Sequence, residues 1–284
     1  MKGLVLYNKA DLEAGPVFAE RLIRHGREMG FDMTLARKED LCRTVRDGKL
    51  LLLLDGQPLS SDFALNRTRD SYLGALLEGQ GIRVFNNVQP TFVANDKFSS
   101  YNQARKLGIP AVRTERFFPT AEKAPYFPCV IKSASGHGGA EVSLIAGPED
   151  FAAWKASEVG QRRGPSAGCV LQPFVPHAHD VRVFVLGGEI LGRVERIPPE
   201  GDFRANVKQG GSFCLFEDDR LDEPARKLAA SLQSDYVGVD FLVTGGTFLF
   251  NELEDVVGSS SLCALKNLDT AQILLQYIAK KIGM

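Results

Sequence analysis

The chain has 284 residues, of which 44 % are hydrophobic and 24 % are charged, as in an ordinary globular protein with room for two or three compact subdomains. Its formal charge of −1 excludes a net electrostatic attraction to nucleic acid or to an anionic membrane. The five cysteines are scattered without a CxxC pair, and the apolar run at the N-terminus is too short for a signal peptide, so we expect reduced thiols in a cytoplasmic protein.

The first ninety residues alternate short apolar strands with helices. Apolar runs predict strands over residues 3–7, 31–36, 50–54 and 82–85, and helical spacing predicts helices over 17–29 and 72–77. The run at 50–54 is almost continuously apolar, which is typical of a strand buried in a parallel sheet. The alternation predicts a small α/β domain. No GxGxxG follows the first strand, so we do not expect ordinary dinucleotide binding there.

The rest of the chain opens with a helix that starts at Lys97, with Asp96 as its N-cap, and ends near residue 107. The polar, glycine-rich stretch 161–168 suggests a boundary between two lobes. The pattern predicts strands over 129–132, 169–174, 180–186 and 189–196, a polar loop over 198–211, and helices over 151–159, 223–234 and 269–281.

Residues 237–254 read as a hairpin turning at Gly245-Gly246. A three-residue loop would place Asp240 opposite Glu252, with Glu254 on the same face, and three such carboxylates would need a cation. Oxygen ligands without a nearby His or Cys favour Mg²⁺. A two-residue loop would instead place Asp240 opposite Asn251. The metal hypothesis therefore depends on loop length, and a solvated acidic strand end is the alternative.

Two glycine-containing loops carry residues that suit phosphate chemistry. Lys132 ends a strand that runs into the loop 133–139, where glycines would let the backbone approach a polyphosphate; a flexible hairpin is the alternative. In the loop 201–211, Arg204 and Asn206 could hold an anion and the charge that develops in a transition state, although a surface turn would tolerate the same composition.

The order of these motifs resembles the ATP-grasp superfamily and, within it, the RimK-like amino-acid (carboxylate–amine) ligases. The matching stretches are DK before the helix ending in LGIP, VIK with its glycine-rich loop, LQPFV, DVRVFVLGGEILGRVER, EGDFRAN followed by GG, GVDFLV and FNELE. The resemblance implies an α/β and α+β protein: an ATP-grasp fold preceded by a small Rossmann-like α/β domain. The implied divisions are 1–90 for that domain, 91–168 for the lobe with the glycine-rich lid, and 169–284 for the lobe with the metal site.

The resemblance also implies a site residue by residue. Lys97 and Lys132 match phosphate contacts, and Asp180 matches the ribose contact. Arg204 and Asn206 match positions near the reacting phosphate, so that Arg204 and Lys132 are the candidate catalytic residues. The remaining implied contacts are the lid (Gly136, His137, Gly138, Gly139), the adenine-binding hinge (Gln172, Pro173, Phe174, Val175), and the Mg²⁺ or Mn²⁺ ligands (Asp240, Glu252, Glu254).

The chain departs from the family pattern at three places. Pro173 stands where the hinge often carries a Glu, and Glu254 stands where relatives commonly carry Asn. Residues 255–260 replace an Asn-Ala-Ser-Pro-Gly-like turn near the expected acceptor side. The departures concern substrate identity more than the use of ATP and Mg²⁺.

We therefore expect an ATP- and Mg²⁺-dependent ligase that joins a small-molecule or peptide carboxylate to an amine, such as an amino acid, through an acyl phosphate. A small-molecule kinase and a non-catalytic nucleotide-binding regulator are the alternatives. Neither nucleic acid nor a membrane is an expected partner, and a homo-oligomer is compatible with the apolar strands. The candidates for a substrate carboxylate are Arg67, Arg182, Arg193 and Arg204, but a surface salt bridge is our preferred interpretation of Arg67 and Arg193.

Overall fold

The computed structural model describes residues 1–46, 48–117, 121–136, 141–161, 168–199 and 211–284. Three larger sheets and one small one organise these residues. No helix among them has the length and apolar character needed to cross a membrane.

The N-terminal sheet is parallel and has four strands in the order β2-β1-β6-β7. Its two central strands are buried, whereas the edge strand of residues 32–37 is partly exposed; the alternation of strands and helices is that of the predicted α/β domain. The strands are β1 (Lys2–Tyr7), β2 (Asp32–Arg37), β6 (Phe63–Asn66) and β7 (Arg83–Phe85), and the helices are α1 (Lys9–Ala14), α2 (Val17–Glu28) and α3 (Ser71–Gly79).

The apolar run around Leu52 does not join this parallel sheet. It forms β4 (Lys49–Leu54), which pairs antiparallel with β3 (Leu41–Arg46) and β5 (Gln57–Pro58) in a separate three-stranded sheet. The prediction of a parallel strand was wrong. Leu52 is nevertheless fully buried, because it packs with Leu73 and Leu77 of α3. An apolar run indicates that a strand is buried. Whether that strand pairs parallel or antiparallel depends on the strands beside it.

Two helices lead from this region to the antiparallel part of the chain: α4 (Val88–Ala94) and α5 (Lys97–Lys106). Asp96 is the N-cap of α5, as predicted, and its carboxylate accepts a hydrogen bond of 2.7 Å from the Ser99 backbone N–H. The cap fixes where α5 begins and so fixes the position of Lys97, its first residue.

The second sheet is antiparallel and has four strands in the order β10-β9-β11-β8. Its core contains Phe151 and Trp154, which stack on each other and pack with Phe117. The strands are β8 (Glu115–Phe117), β9 (Cys129–Ser133), β10 (Val142–Ile145) and β11 (Cys169–Pro173), and the helices are α6 (Pro148–Ala156) and α7 (Glu158–Gln161).

The third sheet is antiparallel and has five strands in the order β14-β13-β12-β15-β16. Its strands are β12 (His179–Leu186), β13 (Glu189–Ile197), β14 (Ser212–Leu215), β15 (Tyr236–Thr244) and β16 (Thr247–Glu254). The helices after β14 are α8 (Asp222–Ser231), α9 (Ser260–Lys266) and α10 (Thr270–Ile282).

Helix α10, near the C-terminus, packs against the N-terminal part of the chain. Leu275 and Ile278 belong to one hydrophobic core with Leu22 of α2 and Phe63 of the parallel sheet. A second core lies on the other side of the five-stranded sheet, where α5 packs against β16 and α8 packs against β12 and β13. The N-terminal sheet is therefore packed directly against the part of the chain that carries the candidate metal ligands.

Candidate active site

The hairpin of β15 and β16 has a two-residue loop. Thr244 pairs with Thr247, so Gly245 and Gly246 alone form the turn. Their φ values of 56° and 75° lie in the left-handed region that such loops require and that glycine adopts without strain. Of the two loop lengths that the sequence left open, the two-residue loop is the one present.

A β-bulge nevertheless brings the two carboxylates together. Phe241 pairs with Phe250 and Asp240 pairs with Glu252, so Asn251 is an extra residue on β16. The bulge shifts the register by one residue and compensates for the shorter loop. Asp240 therefore lies opposite Glu252, as the metal hypothesis required, for a reason that the sequence pattern did not reveal.

Three carboxylates form the cluster that we call the acidic cluster: Asp240, Glu252 and Glu254. One oxygen from each lies within 4.8 Å of the others. Asp240 is 1 % exposed, while Glu252 and Glu254 are half-buried. The three carboxylates therefore offer oxygen ligands to a metal ion from a buried side and from a more open side. Mg²⁺ prefers such a site, with carboxylate ligands completed by water or phosphate.

Two guanidinium groups compensate much of the negative charge. Arg182 donates to both oxygens of Asp240 at 2.7 Å each and to Glu254 at 3.0 Å. Arg196 donates to Asp240 at 2.7 Å and to Asp180 at 2.6 Å. These contacts hold Asp240 and Asp180 in fixed orientations. We predicted Arg182 as a candidate contact for a substrate carboxylate. In the structure its guanidinium instead binds the carboxylates of Asp240 and Glu254.

Burial and charge act in opposite directions on the two aspartates. Burial disfavours the ionised form of Asp240, but the attraction of Arg182 and Arg196 outweighs it and lowers the pKa to about 2. Burial dominates for Asp180 and raises its pKa above the ordinary value, although Arg196 opposes the shift. The carboxylate of Asp240 therefore remains charged at neutral pH.

Lys97 reaches the acidic cluster from the first turn of α5. It is 5 % exposed, its ammonium group forms an ion pair with Glu252, and it donates to the backbone carbonyl of Gly136 at 2.6 Å. This contact links the acidic cluster to the start of the glycine-rich loop. Gly136 is the one predicted lid residue within the described part of the chain.

Lys132 reaches the same strand from β9. Its Nζ donates to the side-chain oxygen of Asn251 at 2.7 Å. Burial lowers the pKa of Lys132 to about 8, with Glu252 opposing the shift and Lys97 adding to it. Two lysines from separate elements thus meet at β16, beside the carboxylates.

Three residues that bind members of this site were not predicted as site residues: Asn251, Tyr101 and Arg196. The Tyr101 hydroxyl donates to the backbone carbonyl of Asn251, so both the side chain and the backbone of the bulge residue are held. Asn251 and Arg196 lie inside the quoted FNELE and GRVER stretches. These two motif stretches could therefore have indicated Asn251 and Arg196 as site residues. The helical spacing of α5 gives no such signal for Tyr101, which looks like any core residue of that helix.

The predicted hinge connects the four-stranded and five-stranded antiparallel sheets. Gln172 is buried in β11 and donates to the Thr114 hydroxyl at 2.8 Å, and the Phe174 backbone N–H donates to the Pro128 carbonyl at 3.1 Å. Pro173 ends β11, and Val175 packs against the core below the five-stranded sheet. The segment therefore lies at the crossing between sheets.

Five predicted site residues lie outside the described part of the chain: His137, Gly138, Gly139, Arg204 and Asn206. Their roles stay predictions.

The two arginines that we interpreted as surface residues differ. Arg193 forms the predicted salt bridge, with two contacts of 2.6 Å to Asp222. For Arg67 the interpretation was wrong, because its side chain is buried and donates to the backbone carbonyl of Val257 at 3.1 Å. No described carboxylate forms an ion pair with it.

Comparisons with known proteins match this chain to ligases. A profile of the RimK-like ATP-grasp domain matches residues 97–278. The glutamate–LysW ligase ArgX of Sulfurisphaera tokodaii is 29 % identical over 221 residues, which cover 74 % of this chain and 77 % of that protein. Beta-citrylglutamate synthase B of Mus musculus is 27 % identical over 277 residues, covering 89 % and 70 %. The crystal structure of a RimK domain ATP-grasp protein from Sphaerobacter thermophilus aligns with a TM-score of 0.75 at 19 % identity, covering 98 % and 99 %, and so shares the fold.

Proposed function

The chain belongs to the RimK-like ATP-grasp family of ATP-dependent carboxylate–amine ligases, and from this premise we propose that it forms an amide bond through an acyl phosphate at the acidic cluster. The observation that carries the proposal is the meeting of three carboxylates of the β15–β16 hairpin with two lysines, Lys97 from α5 and Lys132 from β9, beside the bulge at Asn251. In this proposal residues 1–90 precede the two lobes, which comprise 91–168 and 169–284.

Asp240, Glu252 and Glu254 are the proposed ligands of Mg²⁺, for which Mn²⁺ could substitute. Held by these three carboxylates, a divalent cation would supply positive charge that offsets the negative charge of the ATP phosphates. The guanidinium of Arg182 keeps Asp240 ionised and oriented, so that this ligand is organised before the metal binds.

Lys97 and Lys132 are the proposed contacts of the ATP phosphates. Arg204 and Asn206 complete the phosphate site in this proposal, and the adenosine contacts are Asp180 for the ribose and residues 172–175 for the adenine. Residues 136–139 would close over the phosphates and exclude water, which protects an acyl phosphate from hydrolysis. Positioning and charge neutralisation are the main contributions of a protein to phosphoryl transfer.

The proposed reaction has two displacement steps. A carboxylate oxygen of the first substrate attacks the γ-phosphorus of ATP, the bond from that phosphorus to the bridging oxygen breaks, and ADP leaves. The amine lone pair then attacks the carbonyl carbon of the acyl phosphate, the carbon–oxygen bond to phosphate breaks, and the amine loses a proton. The products are an amide, ADP and inorganic phosphate.

We propose an amino acid as the amine substrate and L-glutamate as the first one to test. Glutamate occurs in the names of both relatives, the glutamate–LysW ligase and the beta-citrylglutamate synthase. The carboxylate substrate is either a small molecule or a peptide.

The experiment is a screen of ADP release with ATP, Mg²⁺ and pairs of carboxylic and amino acids, followed by mass spectrometry of the product. The proposal requires ADP and phosphate in equal amounts together with a product mass equal to acid plus amine minus water. Hydroxylamine should trap the acyl phosphate when the amine is omitted. Phosphate retained on the product would indicate a kinase, and Mg²⁺·ATP binding without any ADP release would indicate a regulator.

A further inference from the structure

Lys97 binds one of the proposed metal ligands. Its ammonium group forms an ion pair with Glu252, and the two side chains are 6 % and 23 % exposed. The attraction between two opposite charges is strong where water is largely excluded. A divalent cation at the acidic cluster would use the same carboxylate, so it competes with the ammonium group of Lys97 for Glu252.

The other two carboxylates of the acidic cluster also have cationic partners. Arg182 donates to both oxygens of Asp240 at 2.7 Å each and lies 2.9 Å from an oxygen of Glu254. Arg196 adds a third hydrogen bond to Asp240, also of 2.7 Å. The cations of the chain therefore compensate the negative charge that would attract a metal ion. A free divalent cation gains little from such a site unless one of these cations moves away.

Lys97 is the cation best able to move. The planar guanidinium groups of Arg182 and Arg196 each bridge two carboxylates, so moving either would break several contacts together. Lys97 has one carboxylate partner, at the end of a flexible four-carbon stem. Its backbone is fixed, because it is the first residue of α5 and its N–H donates to the Ala134 carbonyl at 2.8 Å. The side chain can therefore turn while the helix stays in place.

A nucleotide phosphate offers Lys97 an alternative partner. The second lysine of the site, Lys132, donates to the neutral side chain of Asn251 at 2.7 Å. Burial lowers the pKa of Lys132, and the positive charge of Lys97 lowers it further, so the two ammonium groups are close enough to repel each other. A phosphate that accepts from both lysines would remove this repulsion. It would also replace the Gly136 carbonyl, which accepts from Lys97 at 2.6 Å.

We propose that Lys97 is an internal cation that blocks Glu252 against free divalent ions and turns to a phosphate when the nucleotide binds. The turn frees Glu252 for the metal ion, so the nucleotide and the metal raise each other's affinity. This inference rests on the proposed function, which assigns Lys97 to the phosphates and Glu252 to the metal. It adds that the metal site becomes available together with the nucleotide whose charge the metal offsets.

The first measurement is a titration of the full chain with Mn²⁺ alone, followed by electron paramagnetic resonance of the free ion. Lys97→Met removes the ammonium group and keeps a flexible unbranched side chain, and we expect it to bind Mn²⁺ about tenfold more tightly than the unmodified chain does. Lys106→Met, which removes an exposed lysine from the last turn of the same helix, is the matched control and should change nothing. Adding Asp240→Asn to Lys97→Met should abolish the gain, which places the ion at the acidic cluster.

The second measurement is a calorimetric titration with ADP in EDTA, where no free divalent ion is present. Lys97→Met should weaken ADP binding by about tenfold, because it removes a charged hydrogen-bond donor to phosphate, while Lys106→Met should bind as the unmodified chain does. Tighter metal binding and weaker nucleotide binding in one variant are the signature of the proposal, whereas a purely structural role of Lys97 would weaken both. Lys97→Gln, which can still donate to the Gly136 carbonyl, replaces Lys97→Met in both titrations if the methionine variant melts early.

Two results would overturn the proposal: Mn²⁺ binding that is no tighter in the Lys97 variant, or ADP binding that is no weaker. If the unmodified chain binds Mn²⁺ too weakly to measure, the variant must bring the affinity into range, and failure to do so counts as the first result. Absence of ADP binding by the unmodified chain in EDTA overturns the proposal as well, since the nucleotide then does not draw Lys97 away. Failure of the ligase proposal has a different signature: no pair of substrates releases ADP, although the two affinities still change in opposite directions.

Discussion

Arg182 and Asp240 face each other on adjacent strands, β12 and β15, and are joined by two hydrogen bonds of 2.7 Å. Both side chains are buried, so this is a bidentate ion pair shielded from water. The pair has two consequences. It fixes the proposed metal ligand in one orientation, and it makes the stability of the five-stranded sheet depend on a polar contact.

Arg182→Met should destabilise the protein by about 3–5 kcal/mol, because among the described residues it leaves the buried Asp240 with Arg196 as its one remaining ion-pair partner. Urea unfolding measures this free energy. Arg193→Met is the control, since it breaks a bidentate pair with Asp222 that is less buried. A loss no larger than that of the control would mean that the Arg182–Asp240 pair contributes nothing special to the fold.

Glu254→Asn should weaken Mg²⁺ binding by up to about tenfold, or about 1.4 kcal/mol. An amide oxygen can still coordinate the metal, and Arg182, which lies 2.9 Å from Glu254, already offsets part of the charge that is removed. The measurement is the Mg²⁺ dependence of the thermal shift with ADP, with Asp240→Asn as the variant expected to lose that dependence. An unchanged Mg²⁺ dependence in Glu254→Asn would remove Glu254 from the ligand set.

Lys132 should make ATP binding sensitive to alkaline pH. Its pKa is lowered to about 8, so its positive charge is present below pH 8 and is lost above it. We expect the affinity for ADP or ATP to fall between pH 7.5 and 9.5 by at most about tenfold per pH unit, the limit for one proton. Lys132→Arg, which stays charged over this range, should abolish the fall.

The lowered pKa of Lys132 has the opposite effect on the stability of the fold: stability rises with pH where ligand affinity falls. Between pH 8 and the ordinary lysine pKa of 10.5, the unfolded chain binds the proton and the folded chain does not, so the contribution of Lys132 to stability rises with pH. Loss of ligand affinity without loss of stability over this window therefore separates titration of the site from unfolding. If Lys132→Arg shows the same fall in affinity, another group is responsible.

Asp255→Asn should stabilise the protein at neutral pH. Burial raises the pKa of Asp255 to about 6 from an ordinary value of 3.8, so this carboxyl ionises at a lower pH in the unfolded chain than in the folded one. The free energy of unfolding therefore falls as the pH rises from 3.8 to 6. Replacing the carboxyl with a neutral amide removes that cost, which is at most about 3 kcal/mol. The oxygen that accepts from Asn95 is retained.

Urea unfolding of Asp255→Asn at pH 3.5 and at pH 7 checks this expectation. The variant should nearly match the unmodified chain at the lower pH, where the carboxyl is protonated in the folded chain and mostly protonated in the unfolded chain, and exceed it at pH 7. Asp62→Asn, near the N-terminus of the parallel sheet, is the control for a general loss of negative charge. A variant that is less stable than the unmodified chain at pH 7 contradicts the prediction.

Local signals in the sequence determined much of the architecture. Three features each depend on a few adjacent residues: the cap of α5 at Asp96, the end of α5 just before Gly108, and the turn at Gly245-Gly246. The order of the motifs indicated the family, and the alternation of residues in 237–254 indicated a carboxylate pair. These features are encoded locally, since side-chain period and turn chemistry act over a few residues.

Long-range packing decided the rest. The run at 50–54 was apolar enough to be buried, but its antiparallel pairing depends on β3 and β5. The sequence left the length of the hairpin loop open; the loop has two residues, and the bulge at Asn251 pairs Asp240 with Glu252. Asn251 is held by Tyr101 and Lys132, which lie 150 and 119 residues away in the chain.

The sequence by itself thus determined the family to which this protein belongs and which carboxylates, lysines and glycines are available for the proposed ATP site. The tertiary structure decided how they are paired: Arg182 with Asp240, Lys97 with Glu252, and Arg67 with no described carboxylate. The physical reason is that the charge and hydrogen bonds of a buried group depend on neighbours supplied by distant strands, and burial makes each of those contacts strong enough to fix the geometry.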